Sequence, residues 1–112
     1  MLRQSLSGNS SEASSLFAPS NRTVYFHRRT VTGGTTSTTS SAATAAPYWV
    51  KVVRRSNTMS AYTSPDGATW RQVGSNVSIS MTNPVYVGLA VTSGSTNATA
   101  TATFDNVSLS TP

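Results

Sequence analysis

The run Tyr48-Trp-Val-Lys-Val-Val-Arg-Arg55, Ser56-Asn57, Thr58-Met-Ser-Ala-Tyr-Thr-Ser64, Pro65-Asp66-Gly67, Ala-Thr69-Trp-Arg-Gln-Val-Gly74 decides the fold. Residues 48–55 and 58–64 are dominated by β-branched and aromatic side chains, which fit a pleated, half-buried surface. Ser56-Asn57 between them predicts a tight hairpin turn. In the second arm Met59, Ala61 and Thr63 fall on one face and Ser60, Tyr62 and Ser64 on the other, the period of a strand. Pro65-Asp66-Gly67 closes that arm: proline presets φ, aspartate bonds nearby amides, and glycine takes a positive φ. Residues 69–74 then read as a returning arm. Three antiparallel segments in 27 residues make this a β protein.

The remaining sequence continues the pattern. Thr23-Val-Tyr-Phe-His-Arg-Arg-Thr30 reads as a strand with Tyr25 and Phe26 on opposite faces, one of them in the core. Residues 31–46, rich in Gly, Ser, Thr and Ala, read as an exposed loop with little to bury. Val77 to Met81 is a short strand with Val77, Ile79 and Met81 in phase, and Asn83-Pro84 is a turn. Val85-Tyr-Val-Gly-Leu-Ala-Val-Thr92 is apolar on both faces and reads as a central strand. Thr99 to Ser110 reads as the last strand. Phe104 is assigned to its core face, and a phase slip at Asp105-Asn106 predicts a β-bulge. Glu12 falls in a polar N-terminal loop. Seven or eight short strands with regular turns predict one antiparallel sandwich domain over residues 1–112.

Composition removes several function classes. Ser and Thr make up about a third of the 112 residues, and charged residues only 10%. That is not the Ala, Leu, Glu and Lys content of a helical bundle. Cysteine is absent and there is one histidine, so thiolate chemistry, disulfides and a histidine-based metal centre drop out. No apolar run reaches the roughly 18 residues of a transmembrane helix. Eight Lys and Arg against three Asp and Glu give a net charge of +5. The cations are scattered, and the Arg28–Arg29 and Arg54–Arg55 doublets point to opposite faces of their strands. They form no stripe of the kind nucleic acid needs, so neither nucleic acid nor membrane is an expected partner. Glycoside hydrolysis needs two carboxylates facing each other across the scissile bond. Glu12, Asp66 and Asp105 lie far apart in the chain, so no enzymatic activity is expected.

Tyr48-Trp49-Val-Lys-Val-Val-Arg, Ser56-Asn57-Thr-Met-Ser-Ala-Tyr62, Asp66-Gly67-Ala-Thr-Trp70, Tyr86-Val-Gly-Leu-Ala-Val-Thr-Ser93 and Phe104-Asp-Asn-Val107 together resemble the concanavalin A-like lectin/glucanase jelly-roll modules of secreted bacterial proteins. The resemblance covers roughly residues 45 to 110 and extends weakly through residues 1–6 and 28–34. It implies a jelly-roll sandwich. Relatives carry further strands before the position of Met1, so the chain reads as short of some family strands and as part of a larger protein. The resemblance further implies a secreted, non-catalytic module that anchors an enzyme or surface protein to a polysaccharide such as a plant cell-wall glucan.

Sugar binding asks for exposed aromatic rings to stack on a pyranose, with polar groups beside them for the hydroxyls. If Val50 and Val52 face the core, Trp49 and Lys51 face out. Tyr62 faces out if Met59 and Ala61 face in, and Tyr86 faces out if Val85, Val87 and Leu89 face in. The expected ligand residues are therefore Trp49, Lys51, Tyr62, Trp70 and Tyr86. Trp70 has a second reading as a side chain packed across its hairpin. Asp105 and Asn106 offer oxygens for a structural calcium ion, and no other cofactor is expected. Two further roles stay open: a structural spacer between neighbouring domains that binds no sugar, and a protein contact, including a homodimer, through an unpaired edge strand.

Overall fold

The computed structural model describes residues 1–111, and its regular structure is entirely β. The strands are β1 (Leu2–Arg3), β2 (Glu12–Ala18), β3 (Thr23–Arg29), β4 (Ser37–Ala42), β5 (Trp49–Arg55), β6 (Thr58–Ser64), β7 (Arg71–Gln72), β8 (Val77–Ser78) and β9 (Tyr86–Val87). One sheet has the order β4-β3-β2-β1-β9. The second has the order β5-β6-β7, and β8 pairs the other end of β6. All pairings are antiparallel.

The two sheets pack face to face as a β-sandwich. Leu2, Ala13, Val24 and Phe26 come from the first sheet and Met59 and Ala61 from the second. Val73, Ile79 and Met81 close the core from the segments that follow β7 and β8. Phe26, and not Tyr25, is the core residue of β3: Phe26 is fully buried. Tyr25 faces outward, with its hydroxyl accepting from Asn21 and its ring edge-on to His27. In β6 Met59, Ala61 and Thr63 are buried with at most 1% exposure, but burial does not alternate, since Ser60 and Ser64 on the opposite face are buried as well.

Four elements differ from the sequence reading. Residues 31–46 are not one loop, because β4 lies inside them and pairs β3 from Thr23↔Ala42 to Arg28↔Ser37. A polar Ser/Thr strand needs no core face when backbone pairing carries it at a sheet edge. Glu12 is not in a loop: it opens β2, opposite Arg29, and is 6% exposed. Residues 85–92 are not a central strand. Only Tyr86–Val87 pairs, with β1 at the edge of the first sheet, and Val87, Leu89 and Val91 are each at least half exposed. Residues 99–110 form no strand, so the bulge at Asp105-Asn106 is absent and Phe104 is 45% exposed rather than in the core. β-propensity needs a paired neighbour to become a strand, and these residues have none among the described residues. Among the described residues no helix is long and apolar enough to cross a membrane.

Candidate functional site

The site is the outer face of the β5–β6–β7 sheet. Pairing Trp49↔Ser64, Lys51↔Tyr62 and Tyr62↔Gln72 puts these side chains on one face, since directly opposed residues share a face. Trp70, just before β7, joins them. Its ring lies edge-on to Trp49 at 6.3 Å between centroids and 83° between planes. The Lys51 ammonium sits 4.2 Å from the Trp70 ring centre and 4.9 Å from that of Tyr62. This is cation–π distance to both rings. Trp49, Tyr62 and Trp70 are partly exposed and Lys51 is exposed. Gln72 completes the row, with its amide donating to Asn76 Oδ1 at 2.7 Å.

The turn after β6 fixes the two indoles. Asp66 Oδ1 accepts from the Ala68 and Thr69 amides at 2.9 and 2.8 Å and from the Ser64 hydroxyl at 2.9 Å. The Ser64 Oγ in turn accepts from the Asp66 and Gly67 amides. These donors, the Thr69 amide first, hold the Asp66 carboxyl down to about 2. Gly67 has a φ of +77°, and a Cβ there would lie 2.7–3.0 Å from three atoms of the Trp49 indole. The indole therefore rests on the glycine backbone. Thr63 Oγ1 donates to the Trp49 carbonyl at 3.0 Å and ties β5 to β6 at the same point.

Four of the five expected ligand residues thus come together: Trp49, Lys51, Tyr62 and Trp70. The rings do not form a flat platform, because the two indoles are nearly perpendicular. Tyr86 stands apart. It belongs to β9 of the other sheet, half exposed, where it borders a shallow depression with Met1, Arg3, Leu6 and Leu89. Val85 packs on the core and Val87 shares the face of buried Leu2, so Tyr86 does point outward, but on the other sheet; Val87 and Leu89 are themselves at least half exposed. The premise for Trp49 holds through Val52, which packs on the core, while Val50 is 38% exposed. Asp105 and Asn106 are exposed, and Asp105 Oδ1 accepts from the Asn106 amide at 2.8 Å. Among the described residues no group of three or more His, Asp and Glu gathers.

Sequence reasoning missed the polar row on the outer face of the first sheet. There Tyr86, Arg3, Glu12 and Arg29 lie side by side across β9, β1, β2 and β3. Arg3 is tied to the Ser5 and Ser7 carbonyls, and Arg29 to those of Gly34, Gly8 and Ser10. Glu12 Oε2 is buried without a hydrogen-bond partner. Burial raises the Glu12 carboxyl above the usual carboxylate range, and the Ser14 hydroxyl, His27, Arg3 and Arg29 only partly counter it. The register that builds this row depends on residues 12–18 being a strand, which the Ser-rich sequence does not announce. No family model, curated protein or solved structure matches the chain.

Proposed function

We propose that the protein is a non-catalytic carbohydrate-binding module that takes a polysaccharide on the outer face of the β5–β6–β7 sheet. The observation that carries this reading is the clustering on one partly exposed face of Trp70 and Tyr62 about Lys51, with Trp49 edge-on to Trp70. Rings with one open face stack on the apolar face of a pyranose, and each buries a large area with little side-chain entropy to lose. Gln72 and Asn76 supply amide groups beside the rings for hydroxyls. Rigidity also favours the reading, since the Ser64–Asp66 hydrogen bonds hold the turn under Trp49 before any ligand arrives.

In this proposal the sheets have the jelly-roll arrangement of the lectin/glucanase modules that residues 45–110 resemble. The module acts outside the cell as an accessory unit of a larger protein. Affinity gel electrophoresis in β-glucan, xylan or mannan tests the binding. Retardation of the wild type that Trp49→Ala and Trp70→Ala each abolish, with the fold intact by circular dichroism, is the expected result. Unretarded migration of folded protein in every gel overturns it.

A second reading, contact through a sheet edge, is favoured by β9. Tyr86, Val87, Leu89 and Val91 are exposed beside an unpaired strand edge. It predicts a dimer in sedimentation velocity that Val87→Lys dissociates.

A further inference from the structure

On the strands of the candidate face the only charged side chains are cations. Lys51 and Arg55 both belong to β5 and differ by four positions, so they lie on the same side of the sheet, about 13 Å apart along the strand. Both are exposed. The three Asp and Glu side chains of the chain lie off these strands. Glu12 is buried in β2 of the other sheet, and Asp105 lies in the strandless segment after β9. Asp66 is ionised and exposed in the turn at the Trp49 end of the face, off the strands, with Oδ1 accepting from two backbone amides and the Ser64 hydroxyl. No carboxylate of β5, β6 or β7 offsets the two cations. Trp70 and Tyr62 hold the Lys51 ammonium over their rings, which fixes its position without neutralising its charge.

We infer that the polysaccharide this face takes is an acidic one, with carboxylates spaced along a linear chain that runs beside β5. The inference rests on the carbohydrate-binding reading and names the ligand class within it. A neutral glycan would leave Lys51 and Arg55 without a counter-charge. A uronic-acid polymer sets carboxylates against them while its sugar rings stack on Trp49 and Trp70. Ammonium-to-carboxylate contacts are the stronger, charge-assisted kind, and partial shielding by the two aromatic rings strengthens them further.

The test uses matched backbones of different charge: carboxymethylcellulose against hydroxyethylcellulose, and polygalacturonate against its fully methyl-esterified form. Binding is followed by isothermal titration calorimetry at low and high sodium chloride. The expected result is tighter binding of each acidic member, weakened as salt rises because exposed charge pairs are screened. Lys51→Met keeps the stem packed on the rings, and Arg55→Gln changes an exposed side chain. Each is expected to weaken acidic binding by about three- to tenfold; Arg55→Gln, outside the ring cluster, leaves neutral binding unchanged, while Lys51→Met weakens acidic binding more than neutral. Equal, salt-insensitive binding of neutral and acidic members overturns the acidic-ligand inference and leaves glycan binding standing. Failure of folded protein to bind any member of the four overturns both. Tighter binding of oligo(dT) than of either acidic glycan overturns the inference in favour of single-stranded nucleic acid.

Discussion

Replacing Gly67 by alanine probes the contact that seats Trp49. Two costs add at this position. An L residue held at a φ of +77° loses roughly 1–2 kcal/mol, offset by about 0.4–1 kcal/mol from the stiffer unfolded chain. The new methyl would also lie 2.7–3.0 Å from three indole atoms, and overpacking of this kind costs about 1–3 kcal/mol. Together they give a loss of about 1–5 kcal/mol, a large share of the stability of a small domain. Gly33 supplies the control. Its φ is +76°, and a Cβ there would meet nothing within 4 Å. Gly33→Ala therefore carries the backbone cost alone, about 1 kcal/mol or less. Urea unfolding of both variants measures the difference. A double variant with Trp49→Ala should recover the overpacking share of the loss, because the clashing ring is gone. Equal losses at Gly67 and Gly33 would refute the claim that the indole rests on the turn.

Other perturbations test the core and the two shifted carboxyls. Phe26→Ala removes a fully buried ring that also underlies the Arg28 guanidinium at 5.1 Å, and should cost about 3–5 kcal/mol in the same urea assay. Glu12 binds its proton more tightly folded than unfolded, so its ionisation destabilises the fold as pH rises through and above the usual carboxylate range. Glu12→Gln should therefore gain stability relative to wild type at neutral pH and lose that gain in acid; a gain independent of pH contradicts the assignment. Asp66 is the opposite case, since its folded value of about 2 lies below the unfolded one. It stabilises the fold above pH 4, and the contribution fades as pH falls toward 2. Asp66→Asn should be less stable than wild type at pH 7, with a deficit that shrinks in thermal melts at lower pH.

The β5–β6 hairpin was fully legible, because alternation, a two-residue turn and the Pro65-Asp66-Gly67 stop all agreed on one register. That register alone brings Trp49, Lys51 and Tyr62 to one face, so most of the candidate site could be read from it. Tyr86 could not be sorted, since strand phase says which way a side chain points but not which sheet carries it. β2 and β4 were illegible for a related reason. β4 is mostly exposed Ser and Thr, β2 buries the polar Glu12 and Ser14, and both become strands by pairing with β3, which local propensity does not encode. The error ran the other way in residues 85–110. Val, Phe and Leu there have strand propensity, but only Tyr86 and Val87 find a neighbouring strand.

The central claim is that sugar stacks on the indoles of the β5–β6–β7 face. Both tryptophans of the chain are in that cluster, so intrinsic fluorescence reads the site with no background from elsewhere. Titration with soluble neutral and acidic polysaccharides should give a saturable change in emission, accompanied by protection from acrylamide quenching. Trp49→Ala should remove the saturation while the remaining Trp70 still reports a folded environment. A folded protein whose emission and quenching stay flat across the whole panel would contradict the account.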